Sequence, residues 1–242
     1  MNKKFVAFFL SVGILTSIFT GCAKTQDKVT SGNMNATESA KHEIYTRPES
    51  VNSDEAKKLL VDGNKRFVSG SVLDKDTTKD KLKKLSGGQN PFAVIVTCSD
   101  SRVDPEMIFD QGLGDTFVIR DAGNVVDKVT LGSVEYGAEH LNVPLIVVLG
   151  HENCGAVKAT VDKSHVSENI QGIVDKIDIS FKALESKGIS KDKMYQEVED
   201  ANIKNTVSEI EKDPIIEELV KENKVKVIGA KYHIETGEVV FE

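Results

Sequence analysis

Basic side chains are in deficit in this chain, 31 Lys and Arg against 38 Asp and Glu, for a net charge of −7. That balance offers no electrostatic footprint for nucleic acid and no polybasic patch for anionic lipid. Cysteine is scarce, at three residues, so at most one intrachain disulfide can form. The chain shows no internal repeat. Apolar runs long enough to cross a bilayer are missing as well: the longest, Phe5 to Phe19, is short for a spanning helix and suits the apolar region of an export signal.

What surrounds that run supports the export reading. Asn2, Lys3 and Lys4 form a short basic start, and the run closes on Phe19-Thr20-Gly21-Cys22, which resembles a bacterial lipobox. Residues 1–21 are therefore expected to be a lipoprotein signal peptide, with Cys22 lipidated and the mature chain anchored to the outer face of a bacterial cell membrane. Phe19 stands where Leu is usual; a plain secretory signal and an uncleaved anchor are the alternatives. Cleavage would take Lys3 and Lys4 and leave 29 basic against 38 acidic side chains, a net −9. Membrane attachment would then rest on the two acyl chains of the lipid. Residues 22–50 are polar, without apolar period, and read as a flexible tether; residues 51–242 are expected to form one domain.

Within that domain the pattern alternates as in an α/β fold. Helices are predicted from Ser53 and over Lys79 to Leu85, strands over Phe92 to Thr97, Thr116 to Arg120 and Leu145 to Leu149, and a short helix from Pro105. Further helices are predicted over Val129 to Leu141, Cys154 to Asp162, Glu168 to Ser186 and Lys193 to about Lys212, with a short one from Pro214. Val225 to Ala230 and Val239 to Phe241 close the chain across a turn at Thr236-Gly237. The fold class is a mainly parallel sheet flanked by helices, with an N-terminal helical arm.

Two motifs carry the chemistry. Cys98-Ser99-Asp100-Ser101-Arg102 and His151-Glu152-Asn153-Cys154 each follow an apolar, β-rich run, placing them past the carboxyl ends of two strands, where open α/β sheets bind ligands. Two thiolates and an imidazole converging there make a three-ligand zinc site with one open position, the pattern of a catalytic zinc. A disulfide between Cys98 and Cys154 would account for two thiols of an exported protein, but not for Asp100, Arg102 or His151. Two residues from its cysteine, Asp100 is placed to approach the metal or orient what occupies the fourth position, and Arg102 to hold that carboxylate in a bidentate pair. A structural salt bridge is the plainer reading of the same two residues. His140, His165 and His233 lack ligand-like spacing, and His42 lies in the tether.

These motifs, with Arg120-Asp121-Ala122-Gly123-Asn124 and Gly150 to Gly155, resemble the signature of the β-class carbonic anhydrases; the likeness runs from about Ser53 to Glu242. The resemblance implies one Zn2+ per chain on Cys98, His151 and Cys154 with water or hydroxide as fourth ligand, and reversible hydration of carbon dioxide to bicarbonate. It implies Asp100 and Arg102 as the catalytic dyad, with Asp100 as a possible fourth ligand in a closed state. Gln89, Phe117, Tyr136 and Gly155 match substrate-pocket positions, some supplied by a neighbouring subunit, so a homodimer or higher homo-oligomer is expected, with the helices of Ser53 to Leu85 able to wrap the partner. Arg120 and Tyr136 also match two residues of a non-catalytic bicarbonate site; Ile95 replaces the tryptophan of that site, and the chain has no tryptophan at all. The open, water-ligated type is therefore expected, without that regulatory site. Hydrolysis of carbonyl sulfide or carbon disulfide shares every metal-centre residue and is the enzymatic alternative; a non-catalytic zinc- or bicarbonate-binding lipoprotein is the non-enzymatic one.

Overall fold

In a computed structural model, the structure describes residues 44–242. The signal-peptide reading of residues 1–21, Cys22, His42 and most of the tether lie outside the described residues.

The described chain runs α1 (Ser53–Ser69), α2 (Lys79–Leu85), β1 (Ala93–Thr97), α3 (Pro105–Ile108), β2 (Thr116–Arg120), α4 (Lys128–Glu135), β3 (Leu145–His151), α5 (Gly155–Val161), α6 (Glu168–Glu185), α7 (Lys191–Glu211), α8 (Pro214–Lys221), β4 (Lys226–Tyr232) and β5 (Val239–Phe241). The helix starts follow from local chemistry. Asn52 and Glu55 close a capping box on α1, and Asp104 and Asp213 cap α3 and α8 ahead of Pro105 and Pro214, whose missing N–H costs nothing in a first turn.

The sheet order is β2-β1-β3-β4-β5, the first four strands parallel and β5 antiparallel to β4. Its central strands alternate between two cores, as the period of two requires. Ala93, Ile95, Leu145, Val147 and Leu149 face Ala56 and Leu60 of α1 and Ile108 of α3. Val94, Val96, Ile146 and Val148 face Val134 of α4, Ile203 and Ile210 of α7 and Ile216 of α8. A third cluster lies around the metal-binding cysteines, where Cys98 and Cys154 sit among Val157, Val161, Ile177, Phe181, Leu184 and Val198. Among the described residues, no helix is long and apolar enough to cross a membrane.

The structure revises two expectations, the tether before residue 48 and the helix to Leu141, and finds both helices of the expected arm. Residues 44–47 are docked on the domain rather than part of a loose tether: Ile44 bridges Asp74, the Tyr45 hydroxyl donates to Gln111 Oε1 at 2.6 Å, and Arg47 pairs with buried Asp115 at 2.8 Å. The domain therefore begins by residue 44. The helix expected to reach Leu141 narrows to Lys128–Glu135 and continues as a wider π-helical turn, Tyr136–His140. There Gly137 lies so near β1 that a methyl group on it would stand 2.5 Å from Val94 Cγ2. Of the expected arm, α1 buries Ala56 and Leu60 in the chain's own core, whereas α2 has no buried residue.

Candidate metal centre

β1 ends at Thr97 and β3 at His151, and the two strands are hydrogen-bonded neighbours. Parallel pairing brings both carboxyl ends to one edge, so Cys98 and His151 emerge side by side, and Cys154 follows at the N-cap of α5. One donor atom from each of Cys98, His151 and Cys154 lies within 4.8 Å of the others, and all three residues are buried. Neither cysteine is in a disulfide, which sets aside the oxidised reading of this pair.

The donor set fits zinc. His151 Nδ1 lies 2.8 Å from the Glu152 carbonyl oxygen; donation there fixes the tautomer and leaves the Nε2 lone pair for a metal. Nε2 is buried without a hydrogen-bond partner, a costly arrangement unless an ion completes it. In the metal-free pair of cysteines, the hydrogen bond from the Cys154 side chain leads the effects that pull the Cys98 thiol down, to about 4, with His151 and the Gly123 and Asp100 amides adding to it. Cys154 is pushed up, first by that same bond to Cys98 and then by burial. One thiolate is thus prepared without metal, and metal binding must displace the second proton.

Backbone and charge hold the two loops in register. Arg102 grips Asp100 through two bonds, Nε to Oδ1 at 2.9 Å and Nη2 to Oδ2 at 2.7 Å, and its Nη2 also reaches the Asn153 carbonyl at 3.2 Å. One guanidinium therefore ties the Cys98 loop to the His151–Cys154 loop. The Arg102 bond is the main reason that the Asp100 carboxyl sits well below the usual carboxylate range. Arg120, at the end of β2, pins the same loop from its other side by donating to the carbonyls of Cys98 and Asp100.

Six expected site residues cluster at this strand end: Cys98, Asp100, Arg102, His151, Cys154 and Gly155, the first residue of α5. Gln89, Phe117 and Tyr136 do not join them within one chain. Gln89 precedes β1, so the whole strand, about 17 Å at 3.3 Å per residue, separates it from Cys98. Phe117 pairs in register with Val94 near the start of β1, and its ring lies 6.1 Å from that of Tyr136. Those two rings lie on the α4 side of the sheet, whereas Ile95 faces the α1 side. Ile95 and Tyr136 therefore cannot line one pocket in a single chain. Sequence reasoning missed Glu199 and Asn202 of α7, both buried, the first bonded to the Cys154 amide and the second to the Gly123 turn that bonds Cys98. Their one signal is polarity set within the apolar positions Val198, Ile203 and Ile210.

Comparison with known proteins fits this geometry. Residues 93–239 match the family model described as carbonic anhydrase. A carbonic anhydrase of Mycolicibacterium smegmatis is 40% identical over 187 residues, covering 75% of this chain and 89% of that protein. The chain belongs to the β-carbonic anhydrase family. Carbonic anhydrase 2 of Mycobacterium tuberculosis is 39% identical, over 76% of this chain and 89% of its own. Among solved structures, a Coccomyxa β-carbonic anhydrase in complex with acetazolamide superposes with a TM-score of 0.60 at 30% identity, covering 66% of this chain and 75% of that one. A Sordaria macrospora structure, from a study of two tetrameric β-carbonic anhydrases, gives a TM-score of 0.62 at 25% identity, over 66% and 84% of the two chains. Carbonic anhydrases of this family use zinc, and Cys98, His151 and Cys154 are the residues here that can hold it.

Proposed function

We propose that this chain catalyses the reversible hydration of carbon dioxide to bicarbonate and a proton, with Asp100 and Arg102 as the catalytic dyad. The observation that carries the reading is the buried Cys98-His151-Cys154 group with the Asp100–Arg102 pair beside it, in a chain 40% identical to a carbonic anhydrase. Zinc on these ligands supplies a Lewis acid that makes water nucleophilic near neutral pH. The dyad does the rest of the positioning. An ionised carboxylate accepts hydrogen bonds and donates none, so Asp100 would accept a hydrogen bond from the attacking water and turn its lone pair towards substrate. Arg102 keeps Asp100 ionised and aimed, because its guanidinium makes two bonds of a planar fork to the carboxylate and its backbone N–H donates a third. The buried valines around Cys98 and Cys154 supply the apolar side that carbon dioxide needs.

The reading extends to assembly. Gln89, Phe117 and Tyr136 reach a metal centre if a second copy supplies them, which makes the working unit a homodimer or higher oligomer; the tetrameric relatives of Sordaria macrospora support it. It extends also to location, with export and lipid attachment at Cys22 resting on the basic start, the uncharged run and the Gly21-Cys22 junction. The experiment that tests the activity is stopped-flow carbon dioxide hydration with zinc content measured on the same sample. Fast hydration at about one zinc per chain is expected. Zinc without hydration overturns it, and rates on carbonyl sulfide and carbon disulfide would then decide whether the centre is a hydrolase.

A further inference from the structure

Helix α7 carries Glu199, Asn202 and Thr206 on one stripe, at spacings of three and four, and all three are buried. A helix that needed to do no more than pack on a sheet would fill such positions with apolar residues, because a buried amide or carboxylate is costly unless bonded. Two of the three reach the metal ligands, Glu199 through the backbone of Cys154 and Asn202 through the Gly123 turn that bonds Cys98. The Asn202 side-chain amide donates to the Gly123 carbonyl at 2.8 Å, and the Gly123 N–H donates to Cys98 Sγ at 3.2 Å. Glu199 Oε1 accepts from the Cys154 N–H at 3.3 Å.

We propose that α7 is the outer support of the metal centre, with Asn202 positioning Cys98 through Gly123, and Glu199, anchored by Lys231, positioning Cys154. Gly123 has a φ of +74°, and a methyl group on it would lie 2.8 Å from Ile177 Cδ1 and 3.1 Å from Ala156 Cβ. That residue therefore stays glycine, and a loop without a side chain of its own is held by what reaches its backbone. Glu199 in turn is fixed by charge: Lys231 Nζ stands 3.0 Å from its Oε2 and 2.7 Å from Asp200 Oδ1. Lys231 pairs in register with Gly150, the residue before His151. One helix thus bonds Cys154 directly and Cys98 through Gly123, and its anchor on β4 lies beside the third ligand. The ammonium also offsets a carboxylate that would otherwise stand uncompensated near two thiolates. Partners of this kind typically change metal affinity 10- to 100-fold when removed.

The proposal rests on the metal centre and not on what the centre hydrates, so its test reads bound metal. Cobalt(II) replaces zinc in the whole chain, and both its thiolate charge-transfer bands and its release to a chelator are recorded. Asn202→Leu and Glu199→Ala are each expected to speed release about 10- to 100-fold and to shift the charge-transfer bands. Glu199→Gln keeps an oxygen for the Cys154 amide and should recover most of the Glu199→Ala loss, whereas Glu199→Met, which fills the same space without that oxygen, should not. Thr206→Val, on the same stripe, should leave both readouts at wild type. Folded Asn202→Leu and Glu199→Ala proteins with wild-type release and spectra overturn the proposal. Should Glu199→Ala fail to fold, Lys231→Met asks the same question from β4, and unchanged release there overturns the Glu199 arm. A wild-type chain that takes up no cobalt removes the metal centre and this support with it.

Discussion

Gly150 is where the sheet, α7 and the metal ligands meet, and a single methyl group there should be felt by all three. A Cβ built at this position would stand 2.5 Å from both Cγ1 and Cδ1 of Ile203, which is fully buried on α7. Ile203 is packed closely over the second glycine of the sheet as well, where a Cβ on Gly229 would stand 2.8 Å from its Cγ2. Ordinary carbon contacts need 3.4 Å or more, so α7 has to move away from β3 by about 1 Å or Ile203 must leave its rotamer. Overpacking of this kind costs about 1–3 kcal/mol. Gly150→Ala is therefore expected to be about 2 kcal/mol less stable. The same 1 Å would carry Asn202 off Gly123 and Glu199 off Cys154, with a loss of activity that reaches about 10²-fold for displacements of that size.

The assay is urea denaturation of zinc-loaded protein at one fixed protein concentration, since an assembling chain has a concentration-dependent stability. Ile203→Ala supplies the second arm of a double-mutant cycle. Alone it opens a cavity and costs about 2–5 kcal/mol; combined with Gly150→Ala it makes room for the new methyl. The double variant should be more stable than the sum of the single losses predicts, by 0.5 kcal/mol or more. A Gly150→Ala protein within about 0.5 kcal/mol of wild type, or a cycle whose terms simply add, would refute the notch argument.

Five further outcomes are expected. Cys98→Ser, His151→Ala and Cys154→Ser should each lose bound zinc and activity, read by metal analysis; zinc retained in all three would dismiss the site. Asp100→Asn should keep zinc yet lose on the order of 10²-fold in turnover, and wild-type turnover would remove Asp100 from the mechanism. Because Arg102 depresses the Asp100 carboxyl, the link between them is fully formed above the unfolded value of about 3.9 and is lost as pH falls through the lower folded value; no limb of the pH–rate profile between pH 5 and 9 should vanish in Asp100→Asn. Arg47→Ala strands the buried Asp115 carboxylate and should cost roughly 2 kcal/mol in urea denaturation; no loss would return residues 44–47 to the tether. Cys22→Ala should release the protein from membranes in fractionation, and persistent attachment would favour an uncleaved anchor.

Much of the fold was legible because its strands are short apolar runs with clear stops. Ala93–Thr97 follows Pro91, and Leu145–His151 closes at the Gly150 corner. The three ligands were legible for the same reason, since strand ends that are sheet neighbours must bring their next residues together. The narrowing of α4 was not, because the tight turn at Gly137 is dictated by Val94, 43 residues earlier. Nor was the docking of Tyr45 and Arg47, which works through single long-range bonds that leave no period. The opposed faces of Ile95 and Tyr136 follow from which helix crosses which side of the sheet, a matter of topology that alternation along β1 does not contain.

The case of α7 is different in kind, because there the usual signal carries the opposite sign. Polarity along a helix is read as exposure, since buried carboxylates and amides are rare. Glu199 and Asn202 are polar and buried, so a pattern-based reading assigns them to solvent and leaves the helix faintly amphipathic. What permits their burial is a set of partners scattered through the chain: Lys231 on β4, the amide of Cys154 and the carbonyl of Gly123. Each partner is ordinary in isolation, and their convergence exists in three dimensions alone. A buried polar pair whose bonds end on the backbone of one metal ligand and on the glycine that bonds another is therefore a functional signal that the structure reveals and the sequence conceals. The ligands can be found by motif, but what holds them at metal-binding separation is found by asking where each buried polar atom sends its bond.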